Sequence, residues 1–326
     1  MSPARDAAST PWLESSALSE IPTPHFSLHH TLMSGQAFRW RRHNDGFVGV
    51  IGRTMVKLRQ EGDLVQFRAS DPSVTAKTLR DYLGLNEDLP AILRSIDVDT
   101  QIHAAIQHCR GLRVLRQDAW ETLASFICSA YNNIKRIEGI IDRLTQTFGD
   151  PIDADGRRVF GFPHPEVLAT VSERRLRSLG LGYRAAYLSS VARCVAEGKL
   201  PLDHLRRVDY DTAKSALLKC AGVGDKVADC VALFGLHKYE AFPIDVWMER
   251  VLLYYFRHSR LTRMRAHIYA RRHFGPYAGY AQQYLFHHAR WKARSFAAPS
   301  ESQKKKAFVF PSRIIAETIL FSLGKN

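Results

Sequence analysis

Apolar residues alternate with polar ones through the first third of the chain and recur at helical spacing through the rest. Residues 37–42, 46–59 and 63–69 are rich in Val, Phe, Ile and Trp. Asn44-Asp45-Gly46 and Glu61-Gly62-Asp63 punctuate them as turn sequences, so an antiparallel meander is expected. Asp71-Pro72 then reads as a helix start, with Asp71 as N-cap and Pro72 as first helical residue.

From about Gln117 the period changes. Trp120, Leu123, Ala124, Ile127 and Cys128 fall at i, i+3, i+4, i+7 and i+8, the buried face of a helix. Ile134, Ile137, Ile140, Ile141 and Leu144 repeat the pattern. Further helices are expected near residues 188–196, 210–218, 227–236, 246–256 and 278–291. The expected fold class is α+β. An N-terminal domain with an antiparallel sheet (1–116) precedes a helical body (117–299) and a tail (300–326) with no assigned role.

Charge narrows the class of partner. Lys and Arg number 46 against 32 Asp and Glu, a net charge of +14. An excess of that size suits a polyanion, because each neutralised phosphate releases condensed counterions. Charge alone does not separate DNA, RNA and an acidic membrane. The N-terminus lacks an apolar core behind a basic start, and no apolar run is long enough to span a bilayer, so an intracellular protein is expected. The five cysteines form no C-x-x-C pair and no cluster of four, and His29-His30 and His287-His288 are adjacent pairs rather than i, i+4 pairs. No metal and no cofactor are therefore expected.

The segment 217–246 carries the chemistry. A helix ending near Cys220 runs into Gly222-Val223-Gly224, and a second helix begins at once with Asp225-Lys226. Two glycines around one apolar residue permit a sharp turn. The free N–H groups of the turn and of the new helix form a seat for a phosphate oxygen. Such a helix–hairpin–helix grips a nucleic-acid backbone without reading bases, although paired glycines also serve hairpins that only pack. Lys226 lies in the first turn of the second helix, where the helix's own positive end disfavours an ammonium and favours the nucleophilic amine. Cys230, four residues on, shares that face and equally suits the core. Asp245, after Phe242-Pro243-Ile244, stands at the N-cap of the next helix; cap and catalyst are compatible roles.

The run from Gly222 to Cys230 (GVGDKVADC), with Pro243-Ile244-Asp245-Val246 downstream, resembles the helix–hairpin–helix DNA glycosylases, and within them the 8-oxoguanine DNA glycosylase/lyases. Ser34-Gly35-Gln36-Ala37-Phe38-Arg39-Trp40, Phe126-Ile127-Cys128-Ser129, Leu179 through Ala185 (LGLGYRA) and Gly275 through Gln282 (GPYAGYAQ) support the narrower likeness. Together they run collinearly from about residue 12 to 296.

The resemblance implies an enzyme acting on duplex DNA that contains oxidised guanine, with nothing requiring more than a monomer. The damaged nucleotide is flipped into a pocket. Lys226 attacks C1′ of the sugar, and the resulting Schiff base permits β-elimination. Asp245 stabilises the cationic sugar. The carbonyl of Gly35 accepts from N7–H, which 8-oxoguanine has and guanine lacks. Gln282 bonds the Watson–Crick edge, while Phe286 and Cys230 sandwich the base. Arg136 and Arg184 read the opposing cytosine, Tyr183 wedges into the stack, Asn132 lies in the strand-filling segment, and Gly222, Val223 and Gly224 hold a phosphate.

Two departures stand out. Tyr131 occupies the place where three consecutive asparagines begin in the vertebrate-type pattern, and an aromatic fills space by stacking, which relaxes the expected preference for cytosine. Trp247 and Ala289 replace a phosphate-contacting histidine and its aspartate partner. Two alternatives remain. A monofunctional alkylpurine glycosylase shares the N-terminal domain and the aspartate but lacks the hairpin lysine. A non-catalytic helix–hairpin–helix protein leaves Asp245, Gln282 and Gly35 unexplained as a set.

Overall fold

The computed structural model describes residues 18–255 and 263–296, so the expected tail over 300–326 lies outside the described residues. Five antiparallel strands build the N-terminal sheet: β1 (Ser19–Pro22), β2 (Arg41–His43), β3 (Gly46–Ile51), β4 (Thr54–Glu61) and β5 (Leu64–Ala69), ordered β1-β5-β4-β3-β2. The two expected turns are present, with His43 opposite Gly46 and Glu61 opposite Leu64. Residues 46–59, read as one extended segment, divide into β3 and β4, since Ile51 pairs with Thr54 across Gly52-Arg53. Val56, Leu58, Val65 and Phe67 bury one face of the sheet. Helix α1 (Leu28–Met33) contributes Leu28 and Leu32 to the same cluster, and α2 (Ala76–Tyr82) contributes Leu79.

The helix expected at Asp71-Pro72 starts later. Asp71 accepts from the N–H of Ser73 in a local turn, and α2 is capped by Thr75, whose hydroxyl accepts from the N–H of Thr78. An aspartate bonded to the backbone two residues on forms a turn that competes with a helix N-terminus.

Two helices of the N-terminal segment join the core of the helical body. Helices α3 (Leu89–Ile96) and α4 (Thr100–His108) bury Leu89, Ile92, Ile96 and Ile102 in the same cluster as the later helices. Then follow α5 (Ala119–Cys128), α6 (Ile134–Phe148), α7 (Pro165–Thr170), α8 (Glu173–Leu176), α9 (Arg184–Ala196), α10 (Leu202–Leu205), α11 (Tyr210–Leu218), α12 (Asp225–Phe234), α13 (Val246–Tyr255), α14 (Arg263–Phe274) and α15 (Ala278–Phe296). α12 packs on α5 and α11, and α15 packs on α3, α4 and α13. A small hairpin, β6 (Pro151–Ala154) and β7 (Arg157–Phe160), leans on the sheet: Asp155 at its tip pairs with Lys57 at 2.6 Å and Arg68 at 3.0 Å.

Two long-range devices fix α1 and the loop behind it. Gln36 is buried; its Nε2 donates to the carbonyls of Thr31 (2.9 Å) and Arg113 (2.8 Å), and its Oε1 accepts from the N–H of Leu115 (2.8 Å). The two adjacent histidine pairs also meet, with His30 Nδ1 and His287 Nε2 3.1 Å apart across the seam between α1 and α15. Among the described residues no group of three or more His, Cys, Asp or Glu side chains is arranged to hold a metal ion, and no helix is long and apolar enough to cross a membrane.

Candidate active site

The turn between α11 and α12 forms as the glycines require. Gly222 takes a left-handed φ of +82°, and any Cβ there would fall 2.3 Å from Cγ of Tyr187. Only glycine accommodates both. Val223 is buried beneath the turn. Gly224 is the N-cap of α12, has no side chain to cap it, and has open space where a Cβ would point. The first N–H groups of α12 thus face an open approach, the arrangement that suits a phosphate oxygen.

Lys226, in the first turn, sends its amine back over α5. Nζ donates to Oγ of Ser129 at 2.7 Å and sits 4.9 Å from the centre of the Phe126 ring. Ser129 in turn donates to the carbonyl of Phe126 at 2.6 Å, which fixes its oxygen as an acceptor for the amine. Cys230 is buried, and burial pushes its thiol up to about 12, so it presents a neutral sulfur beside the lysine.

Asp245 caps α13: its Oδ1 accepts from the N–H of Met248 at 2.9 Å. Burial raises its carboxyl above the ordinary carboxylate value, while the Met248 N–H, the Lys226 ammonium, the Trp247 N–H and the Arg290 guanidinium oppose that rise. The cap and the nearby cations oppose the desolvation without cancelling it. Trp247 carries the Arg250 guanidinium over its ring, Cζ 5.3 Å from the centre.

The far wall joins α15 to the loop after α1. Gly35 adopts φ +85°, and a Cβ there would come within 3.1 Å of Ile134 and 3.5 Å of Phe286. Gln282, one turn before Phe286, is buried, and its Oε1 meets no donor among the described residues. An unsatisfied buried amide is costly unless a ligand completes it. Its neighbour Gln283 lies 3.4 Å from the Ser34 carbonyl, to which it donates.

The expected opposing-strand residues gather on one ridge. Tyr131 is 95% exposed with a left-handed φ of +47°, uncommon for a bulky residue and characteristic of functional positions. Tyr183 is half exposed, and its hydroxyl lies 3.4 Å from the Ala130 carbonyl, to which it donates. The Arg184 guanidinium is turned inward, with Nε donating to Ala130 at 2.8 Å and Nη2 to Tyr131 at 3.1 Å. Arg136 is exposed in the first turn of α6, which Asn133 caps, and Asn132 donates to the carbonyl of Cys128 at 3.1 Å. Sequence reasoning gave no role to Ser129, Tyr187 or Arg290. Their signals are contacts between distant segments, invisible to local pattern.

A sheet domain followed by a helix–hairpin–helix body, with a lysine on the hairpin and a carboxylate at the next helix cap, defines a base-excision DNA repair protein. Residues 20–123 match the family model for the 8-oxoguanine DNA glycosylase N-terminal domain, and residues 124–272 match that for HhH-GPD superfamily base excision DNA repair proteins. The chain is 32% identical to a probable N-glycosylase/DNA lyase of Methanothermobacter thermautotrophicus over 83% of its own length and 95% of that protein. It is 33% identical to the N-glycosylase/DNA lyase OGG1 of Arabidopsis thaliana over 78% and 75% of the two chains. The solved structure of MBOgg1 with a low-affinity DNA ligand superposes with a TM-score of 0.81 at 33% identity, covering 86% of this chain and 97% of that one. The Clostridium acetobutylicum 8-oxoguanine glycosylase/lyase in its apo form gives 0.79 at 28% identity, covering 83% and 98%. The chain belongs to the 8-oxoguanine DNA glycosylase/lyase family.

Proposed function

We propose that this protein excises 8-oxoguanine from duplex DNA and then cleaves the strand, with Lys226 as nucleophile and Asp245 as its acidic partner. The observation that carries the residue assignment is the amine of Lys226, the second residue of a helix whose N-terminus is open, held by Ser129 at 2.7 Å and within electrostatic reach of Asp245.

The flipped base enters between Cys230 and Phe286, with its Watson–Crick edge toward the unsatisfied amide of Gln282 and N7–H toward the Gly35 carbonyl. The lysine lone pair forms the bond to C1′ as the bond from C1′ to the base breaks, and the departing base leaves with the electron pair. Asp245 lies close to the positive charge developing on the sugar, where a preorganised carboxylate lowers the barrier. Loss of a proton from nitrogen and opening of the sugar ring give a Schiff base. Removal of a proton from C2′ then expels the 3′ phosphate. The site of action is wherever the cell keeps its DNA, the nucleoid of a bacterium or the nucleus of a eukaryote.

Borohydride trapping tests this reading, using a duplex with one 8-oxoguanine opposite cytosine and the native and Lys226→Gln proteins in parallel. A covalent adduct with the native protein alone is expected. Free base without an adduct would point instead to water as nucleophile, as in the alkylpurine alternative.

A further inference from the structure

The base-holding wall also receives a cation. Arg290 stands one turn beyond Phe286 on α15, and its Cζ lies 5.2 Å from the centre of the Phe286 ring. Its Nη1 donates to the carbonyl of Ser34 at 3.3 Å, and the same atom would lie 2.8 Å from a Cβ placed on Gly35. The guanidinium therefore fills the angle between the Ser34–Gly35 backbone and Phe286, the two groups proposed to hold the lesion. Its charge is also felt by Asp245 across the site.

We propose that Arg290 is a specificity-determining residue that reads the oxygen oxidation places at C8 of a purine. The assignment rests on the functional reading above, in which the Gly35 carbonyl faces N7.

The chemistry follows from the edge that oxidation creates. In guanine, N7 is a bare acceptor and C8 carries a hydrogen. In the 8-oxo form N7 carries the hydrogen and C8 the carbonyl oxygen, so the edge becomes lactam-like, donor beside acceptor. Its complement is an acceptor beside a donor, which the Gly35 carbonyl and an Arg290 N–H supply side by side. A guanidinium N–H to a carbonyl oxygen is a charge-assisted bond, stronger than a neutral one. Undamaged guanine would set a lone pair against the carbonyl and a C–H against the guanidinium, and lose both contacts. Purines alkylated at N7 carry positive charge and would face the same cation, so this residue also selects against them. The bond to Ser34 at 3.3 Å is long for an N–H···O contact and can be exchanged for the incoming oxygen.

The test compares native protein with Arg290→Leu and Arg290→Lys in two single-turnover assays: excision of 8-oxoguanine, and cleavage at a preformed abasic site that holds no base. The expected result is that the ratio of excision to abasic cleavage falls about tenfold to a hundredfold in the leucine variant, the loss of one bond to a charged donor. The lysine variant, which keeps the charge, recovers part of it. An unchanged ratio overturns the assignment, as does a parallel fall in both reactions, which would trace the loss to the fold or to the charge that Asp245 feels. A native protein that cleaves abasic sites yet leaves 8-oxoguanine in place overturns the functional reading, and this assignment with it.

Discussion

Arg184 donates to the carbonyl of Tyr131 at 3.1 Å, and through that bond a buried guanidinium fastens an aromatic residue that is almost wholly in solvent. The left-handed backbone at Tyr131 is thereby held from behind. A stacking side chain on a fixed platform accepts any base face. Native excision rates are expected to vary little with the base opposite the lesion. Tyr131→Asn should spread them, favouring cytosine, with less effect on which lesion is chosen. Equal rates across four opposing bases in the variant would remove Tyr131 from this role.

A single substitution separates the helix cap that Asp245 forms from the catalytic role proposed for it. Asparagine also caps helices well, so Asp245→Asn should leave α13 and duplex affinity nearly intact while the negative charge is lost. Base excision is expected to fall by roughly a hundredfold or more, the scale of one preorganised electrostatic group. Single-turnover kinetics alongside a thermal melt decide the matter. A low melting temperature with proportionate loss of activity would reduce Asp245 to a cap.

The two glycines of the hairpin should fail differently. Gly222→Ala forces a side chain into a left-handed turn and into the Tyr187 ring, at a cost of about 1–3 kcal/mol or more, visible as a lower melting temperature. Gly224→Ala has open space and a negative φ, so the fold should hold while the methyl group stands where a phosphate would approach. Weaker duplex binding at unchanged stability is the expected reading for Gly224→Ala.

Acid should destabilise the protein. Burial, aided by nearby cations, lowers His237 and His288 to about 4 and His287 to about 3, against an unfolded value of 6.5. Below pH 6.5 the unfolded chain takes up protons that these rings refuse, so stability is complete above that pH and is lost as the pH falls toward 4. Asp229 works in the other direction. Burial raises it to about 6 from 3.8, so the folded state holds its proton more tightly between those values. The lowered histidines, which also include His29, His30, His43 and His108, outnumber the raised carboxyls, which also include Glu121, Glu138 and Asp245, and melting temperatures should drop from about pH 7.5 to about pH 5. A rise over that interval would contradict the assignment.

Much of this was legible in the chain because the relevant signals are local. The period of residues 210–218 gives α11, and the run from Gly222 to Asp245 places turn, amine and cap within one continuous stretch. The helix misread at Asp71-Pro72 shows the opposite case, where an aspartate serves a turn as readily as a cap. Strand β1 is four residues long and pairs with β5 across more than forty positions, which no periodicity reveals. The meeting of His30 with His287, and of Arg290 with Ser34, depends on α15 folding back against α1. Adjacent histidines in sequence carry no hint of that.

The proposed phosphate seat at Gly224, the N-cap of α12, stands on the same helix as the amine of Lys226 and the sulfur of Cys230. A helix advances about 1.5 Å and turns about 100° with each residue, so these three groups keep a fixed spacing and cannot drift apart. On the proposed function, α12 is a ruler whose zero mark would be a gripped phosphate and whose graduation would be the reacting sugar. The protein need not search for the sugar carbon once the strand is clasped. One residue inserted between Gly224 and Lys226 would leave the clasp intact and swing the amine more than a quarter turn off the mark.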